Sequence, residues 1–474
     1  MALLGFATLN PAYNGSMADL PSAFVEELSS LLGDGWSTAD ADRSAHGADN
    51  SLRTALPDAV AKPRTREQVQ AIVRACIAHR VPIVARGSGT SSTGAALPTA
   101  GGVALSFERM NRIVEIRAED RIAIVEPGVL NGDLQKALAP HGLFWPPDPA
   151  SAELCTVGGN LACNAGGPHT VKYGATRDNV LGLTAITGTG DAIHCGSATT
   201  KNSTGYDLTH LLIGSEGTLG LIVEATLKLA PLPPQRASLR ALYADVASAA
   251  AATARIMAQP NTPAMLEFMD AACIRLAREV GGADLPDAGA LLMIEADGDA
   301  ATLPHAVAVL AQAARGAGLL SLDTAPDEIA SEKLWAARKA LSPALRSIAP
   351  GKINEDVVVP VSRIPELVDG IQALAREFDL PIVAFGHAGN GNLHANILYD
   401  PDDAGQDARA QAALPRLFAL TLELGGTLSG EHGIGLAKRD FMARAFDAPT
   451  LAAMRAVKAA FDPNGLLNPG KVLP

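Results

Sequence analysis

Two hydrophobic periods alternate along this chain, and their texture changes near residue 231. Before that point, short apolar runs with period-two alternation predict strands at Val81–Ala85, Val103–Phe107, Arg112–Ile116 and Ile122–Glu126. Between and around them, apolar residues three and four apart predict helices at Leu20–Leu32, Arg66–Ala78 and Leu130–His141. Pro231-Leu232-Pro233-Pro234 then punctuates the chain and is the expected domain boundary. Beyond it the pattern predicts helices at Val246–Ala258, Ala271–Val280, Leu303–Ala317 and Glu328–Ser347, separating strands such as Ala290–Ala296. A chain of 474 residues exceeds what one small core serves, so two or more domains are expected.

Glycine breaks the first half in three places. Arg86-Gly87-Ser88-Gly89-Thr90-Ser91 follows a strand, but it is not a dinucleotide fingerprint, because Ser92 stands where the third glycine belongs. What remains is a run of backbone N–H groups and hydroxyls able to cradle an anion, or an ordinary turn. The stretch from Asp148 to Gly174 holds Val157-Gly158-Gly159-Asn160 and Cys163-Asn164-Ala165-Gly166-Gly167, and reads as long irregular backbone. Such backbone inside a domain is costly unless a ligand meets its polar groups. Gly214-Ser215-Glu216-Gly217 adds a third loop, and three together point to a large phosphorylated cofactor.

Near the C-terminus, Gly386 to Ile397 reads GHAGNGNLHANI, and Ser429 to Gly435 reads SGEHGIG. Asn390-Gly391 between apolar runs predicts a two-residue hairpin turn, which would set His387 opposite His394 on one face of the ribbon. Two imidazoles and the Glu431 carboxylate make a three-ligand set with an open fourth position. The rival reading is a pair of histidines satisfied by ordinary hydrogen bonds. Asn396, two residues past His394, shares its strand face. His432 adjoins Glu431 and points elsewhere, which suits a role other than ligation.

Composition narrows the partners. Net charge is −12 with no basic cluster, which argues against nucleic acid. Five cysteines form no CxxC pair, arguing against an iron–sulfur cluster, a structural zinc site or a disulfide framework. The first basic residue is Arg43, so neither a secretory signal nor a transit peptide is expected. With no apolar run long enough to span a bilayer, the expectation is a cytoplasmic protein, or one peripheral at a membrane.

The glycine loops, with Lys172-Tyr173-Gly174, Asp178-Asn179-Val180 and Gly214 to Gly220, resemble the FAD-binding domain of the vanillyl-alcohol-oxidase type. The second half is similar to the C-terminal domain of FAD-linked D-2-hydroxyacid dehydrogenases: those for D-lactate and D-2-hydroxyglutarate, and the flavin subunit of glycolate oxidase. The resemblance spans about Pro57 to Lys471. It implies an α+β fold with an FAD-binding domain of two subdomains at 1–230, a substrate domain at 231–425, and a C-terminal segment at 426–474 returning to the flavin. It implies FAD contacts from Arg86, Gly87, Ser88, Gly89, Thr90, Ser91, Pro147, Thr156, Gly158, Gly159, Asn160, Asn164, Gly166 and Gly167. Further contacts would come from Tyr173, Gly174, Glu216, Gly217, Gly220, Ile222, Glu431 and Asn468. Thr90 and Ser91 stand where relatives with covalent flavin often carry histidine, so the FAD is expected to be dissociable.

By the same resemblance, His387, His394 and Glu431 bind a divalent metal, usually zinc, with manganese or cobalt also suited to the ligands. His432 is the general base, and Arg338, Ser342, Lys352 and Asn396 bind the substrate acid. The implied reaction oxidises a D-2-hydroxy acid to the 2-oxo acid. Two cations lean the expectation towards D-2-hydroxyglutarate or D-malate, then D-lactate, then glycolate. Electrons would leave to a separate acceptor, such as an electron-transfer flavoprotein, a cytochrome or a quinone, and a homodimer is expected from relatives.

Overall fold

The computed structural model describes residues 20–280, 285–325, 329–332, 335, 338, 341 and 344–474. The chain divides into two compact units. The first comprises residues 1–166, 175–232 and 431–474, and the second comprises 167–174 and 233–430. One division thus falls at the proline run. The other follows Gly430, five residues beyond the expected 425. The excursion of 167–174 into the second unit has no signature in the sequence pattern.

The first unit holds two sheets. Strands β1 (Trp36–Ser37), β2 (Ala59–Ala61), β3 (Ile83–Arg86) and β4 (Val103–Ser106) lie in the order β1-β2-β4-β3, with β4 parallel to both β2 and β3. Their apolar face packs against helices Ser22–Leu32 and Arg66–His79 through Phe24, Leu28, Ile72 and Cys76. The second of these helices starts where Thr65 Oγ1 accepts the Gln68 N–H and ends at left-handed Arg80. Strands β5 (Ile113–Arg117), β6 (Ile122–Val125), β8 (Val180–Thr187), β9 (Ala192–Gly196) and β10 (Gly220–Lys228) form an antiparallel sheet ordered β5-β6-β10-β8-β9. Its core includes Trp145, Leu161, Leu183 and Leu227. The short strands β7 (Leu143–Phe144) and β11 (Ala230–Pro231) pair separately. The C-terminal segment joins this unit at β3: the Ile83 N–H donates to Leu466 O, and the Asn468 N–H donates to Ile83 O.

The second unit is built on one seven-stranded sheet, ordered β15-β12-β14-β13-β17-β18-β16. Its strands are β12 (Gln235–Tyr243), β13 (Met265–Asp270), β14 (Ala290–Gly298), β15 (Leu319–Thr324), β16 (Gly351–Val358), β17 (Ile382–His387) and β18 (Asn392–Tyr399), and every pairing is antiparallel. Alternation then dictates which side chains share a face. Helices Val246–Ala258, Leu303–Ala314, Ile364–Phe378 and Ala404–Glu423 pack against the sheet. Register places Glu267, His387, Asn392, His394, Asn396, Asp356, Asn354 and Lys352 together on one face.

Candidate functional site

The glycine loops of the first unit are shaped around buried polar groups. Arg86 ends β3 with its guanidinium turned inward: Nη2 donates to Ala48 O at 2.7 Å, while Nη1 is buried with no hydrogen-bond partner among the described residues. Gly87 and Ser88 lead to Gly89, which turns the loop at φ +73°, and a Cβ there would run into that guanidinium. Gly89 and Thr90, with Asp49, Ser151 and others, line a cavity of about 370 Å³. Ser91 Oγ meets Thr93 Oγ1 at 3.3 Å.

The second loop corrects the expectation of irregular backbone. Thr156 caps a helix, Val157–Cys163, by accepting the Gly159 N–H at 3.1 Å, so Gly158, Gly159 and Asn160 form its first turns. Small residues there allow close approach: a Cβ on Gly158 would stand 2.5 Å from Pro127 Cβ. Asn160 is buried and its Nδ2 has no partner among the described residues. Asn164 ends the helix in the left-handed region, and its Oδ1 accepts the Arg177 N–H at 2.9 Å. The Pro147 carbonyl accepts from Asn131 Nδ2 at 2.9 Å.

Gly166 is the last residue before the excursion, and Gly167, Tyr173 and Gly174 belong to the second unit. There the Tyr173 hydroxyl and the Lys172 ammonium both bond the Asp297 carboxylate on β14. Burial, followed by that carboxylate, pushes the Tyr173 phenol upward.

In the third loop, Glu216 sits at φ +53° and Gly217 at φ +69°, ahead of Gly220 and Ile222 in β10. The Glu216 side chain grips the chain beyond His432: Oε1 accepts the Ile434 N–H at 2.6 Å and Oε2 the Gly435 N–H at 2.8 Å. Thr93 Oγ1 donates to the His432 carbonyl at 3.4 Å. Asn468 Nδ2 donates to Glu216 O at 2.7 Å and Ala95 O at 2.9 Å, tying the C-terminal segment to the same loop. The unpartnered donors of Arg86 and Asn160, both in glycine-rich segments of the first unit, suit a cofactor rich in acceptors such as phosphate.

In the second unit the hairpin forms with a different turn. Residues 388–391 make a four-residue connection, with Gly391 left-handed at φ +72°. His387 therefore faces Asn392, and His394 faces Phe385. Relative to a two-residue turn the register slips by two, which conserves the face of every side chain. The imidazoles meet diagonally, with ring centroids 5.3 Å apart and planes at 85°.

Glu431 is bonded to Gly430, the last residue of the second unit, and Asp356 holds that junction. Its carboxylate accepts the Gly430 N–H at 2.8 Å and the Ser429 hydroxyl at 3.0 and 3.1 Å. His387 and His394 come from the hairpin of the second unit, and Glu431 opens the C-terminal segment assigned to the first. Two nitrogens and one carboxylate oxygen, two of the three residues being buried, suit zinc or a similar divalent cation.

The sequence pattern did not single out Glu267. This carboxylate, 1 % exposed on β13, bonds His387 Nδ1 through Oε1, while Oε2 receives Arg338 Nε at 2.9 Å and Nη2 at 2.7 Å. Burial works to raise its pKa, but His387 and Arg338 together pull it down to about 2. The signal was an acid inside the apolar strand Met265-Leu266-Glu267-Phe268-Met269. Arg338 also lies 4.5 Å over the Phe385 ring. Lys352 is half-buried, and desolvation, then Arg346, lowers its ammonium pKa. Asn396 and Asn354 face each other across β18 and β16, each with a buried Oδ1 lacking a hydrogen-bond partner among the described residues. Ser342 lies outside the described residues.

Residues 57–196 match the family described as FAD binding domain, which sets the class: a flavin-dependent oxidoreductase. Residues 232–472 match the family described as FAD linked oxidases, C-terminal domain. The chain belongs to this FAD-linked oxidase family. It is 41% identical over 418 residues to a protein named glycolate oxidase subunit GlcD of Bacillus subtilis, covering 88% of this chain and 89% of that one. It is 36% identical over 464 residues to D-2-hydroxyglutarate dehydrogenase of Stutzerimonas stutzeri, covering 95% and 98%. D-lactate dehydrogenase of Anaerostipes hadrus is 35% identical over 427 residues, covering 88% and 90%. Among solved structures, p-cresol methylhydroxylase with substrate bound aligns with a TM-score of 0.79 at 19% identity, over 95% of this chain and 96% of the other. The fold is thus the α+β fold of vanillyl-alcohol-oxidase type flavoproteins, and the protein is an FAD-linked oxidoreductase of the D-lactate, glycolate and D-2-hydroxyglutarate dehydrogenase group.

Proposed function

We propose that the protein oxidises a short D-2-hydroxy acid to the 2-oxo acid, with non-covalent FAD and a divalent cation held by His387, His394 and Glu431. The observation that carries this reading is the pair of buried histidines, His387 and His394, on one face of the seven-stranded sheet. When bound, FAD accepts the hydride from C2, and the cation makes the 2-hydroxyl more acidic. His432 takes the hydroxyl proton as general base, so the substrate loses one hydride and one proton. Arg338, Lys352 and Asn396 bind and orient the acid, and Ser342 assists. Arg86 and Asn160 direct donors at the cofactor's acceptors, and the other glycine-loop residues, with Pro147, Thr156, Tyr173, Gly174, Ile222 and Asn468, shape its berth. A separate acceptor would take the electrons onward.

The lean towards a dicarboxylate rested on two cations, and one of them, Arg338, already carries a carboxylate partner in Glu267. That lowers the positive charge left for substrate and favours a monocarboxylate, D-lactate or glycolate, over D-2-hydroxyglutarate or D-malate. Anaerobic mixing of metal-replete protein with D- and L-2-hydroxy acids, followed at about 450 nm where oxidised flavin absorbs, tests the reading. Bleaching by D-lactate or glycolate ahead of the dicarboxylates is expected. Faster bleaching by D-2-hydroxyglutarate would reverse the order, and bleaching by none would overturn the substrate class.

A further inference from the structure

Glu267 is a buried carboxylate with no part in the proposed proton or hydride transfer, and its surroundings give it two tasks. It is buried on β13, the strand beside the histidine hairpin, and register brings it directly opposite His387. One oxygen bonds His387 Nδ1, and the other takes a forked pair from Arg338 at 2.7 and 2.9 Å. A carboxylate on Nδ1 holds the proton there and assigns Nε2 to the metal, while orienting the ring. The fork fixes the guanidinium plane, and Phe385 supports it from one side with its ring centroid 4.5 Å away. Phe385 is also the residue opposite His394. A metal ligand and a substrate-binding cation are therefore oriented by a single buried side chain.

We propose that Glu267 is a positioning residue that sets both the metal-binding tautomer of His387 and the orientation of Arg338, linking metal affinity to recognition of the substrate carboxylate. This inference rests on the metal reading of the preceding subsection. The two tasks together are beyond an uncharged or shorter side chain. An amide has a single oxygen to accept from one of these two donors, turns its NH₂ against the other, and carries no charge for the guanidinium, whereas aspartate, one methylene shorter, cannot span both from the same backbone position.

The test compares wild type with Glu267→Gln, Glu267→Asp and His387→Ala, each prepared with FAD bound and stripped of metal by a chelator. Zinc affinity is read by competition with a chromophoric chelator, and the flavin spectrum and melting temperature report the integrity of each variant. Glu267→Gln is expected to weaken zinc 10–100-fold, the usual effect of losing such a partner, with the flavin spectrum unchanged. At saturating zinc it should raise KM for the hydroxy acid several-fold more than it lowers kcat. Glu267→Asp keeps the charge and should show the same two effects in smaller measure, which decides the matter if the glutamine variant does not fold. Zinc affinity within threefold of wild type in the folded Glu267 variants, with His387→Ala defective, overturns the positioning role and leaves the metal site standing. Wild-type zinc affinity in His387→Ala as well overturns both.

Discussion

Glu216 shows how a residue placed by motif can carry a structural task as well. Its place in the third glycine loop implied a flavin contact, yet its carboxylate receives the Ile434 and Gly435 N–H groups, just past the proposed base His432. Burial pushes its pKa up from 4.5 to about 7, against the lowering effect of those N–H groups and of Lys438 and Lys471. A folded pKa above the unfolded one means the folded state keeps a proton that the unfolded chain releases. Its contribution is therefore full below about pH 4.5 and is lost as pH rises towards 7. Glu216→Gln should flatten the fall of melting temperature across that window relative to wild type. An unchanged slope would show that Glu216 does not titrate there. Single residues were legible in the sequence where chemistry is unusual for its place, as with the paired histidines. Glu267 was harder to see, because its significance lies in partners 71 and 120 residues away.

The histidine hairpin carries the lesson for elements. Asn390-Gly391 announced a turn, and the turn is there, but as a four-residue connection with only Gly391 left-handed among its members. Backbone space decides this: at φ +72°, a Cβ on Gly391 would collide with the Val359 carbonyl oxygen at the end of the neighbouring strand segment. Gly391→Ala should lower stability by at least the roughly 1–2 kcal/mol of a left-handed non-glycine residue, the collision adding to it. The same change should weaken zinc binding, because the turn sets the diagonal approach of His387 and His394. A melting temperature lowered with zinc affinity intact would show that the turn stabilises the ribbon without placing the ligands. Helices were read more securely than loops. The Val246–Ala258 helix matches the expected bounds, since a 3.6 period and the Asp245 cap are local signals. The Val157–Cys163 helix was missed, because Gly158 and Gly159 lower helix propensity and only the Thr156 cap and packing offset them.

At the scale of the whole molecule, chain order and spatial order part company. Residues 431–474 belong with the glycine loops of the first 232 residues, while 167–174 belong with the seven-stranded sheet. No described helix is long and apolar enough to cross a membrane. The residues proposed to grip FAD through unpartnered donors lie in the first unit, and both histidines proposed as metal ligands lie in the second. Removing the metal with a chelator should therefore abolish hydroxy-acid oxidation while leaving flavin absorbance and content unchanged, and added zinc should restore the rate. Undiminished turnover in metal-free protein would remove the cation from the reaction.

By itself the sequence determined the periodicity of the elements, the proline boundary at 231–234, the glycine loops and the spacing of the paired histidines, because each rests on neighbours along the chain. Parity along a strand even preserved the shared face of His387, Asn392, His394 and Asn396 through a two-residue slip in register. Tertiary structure alone decided the partners: Glu267 between His387 and Arg338, Asp356 beneath the junction to Glu431, and Glu216 holding the loop beyond His432. Burial makes such pairings strong, and burial depends on contacts between distant segments that no local pattern records.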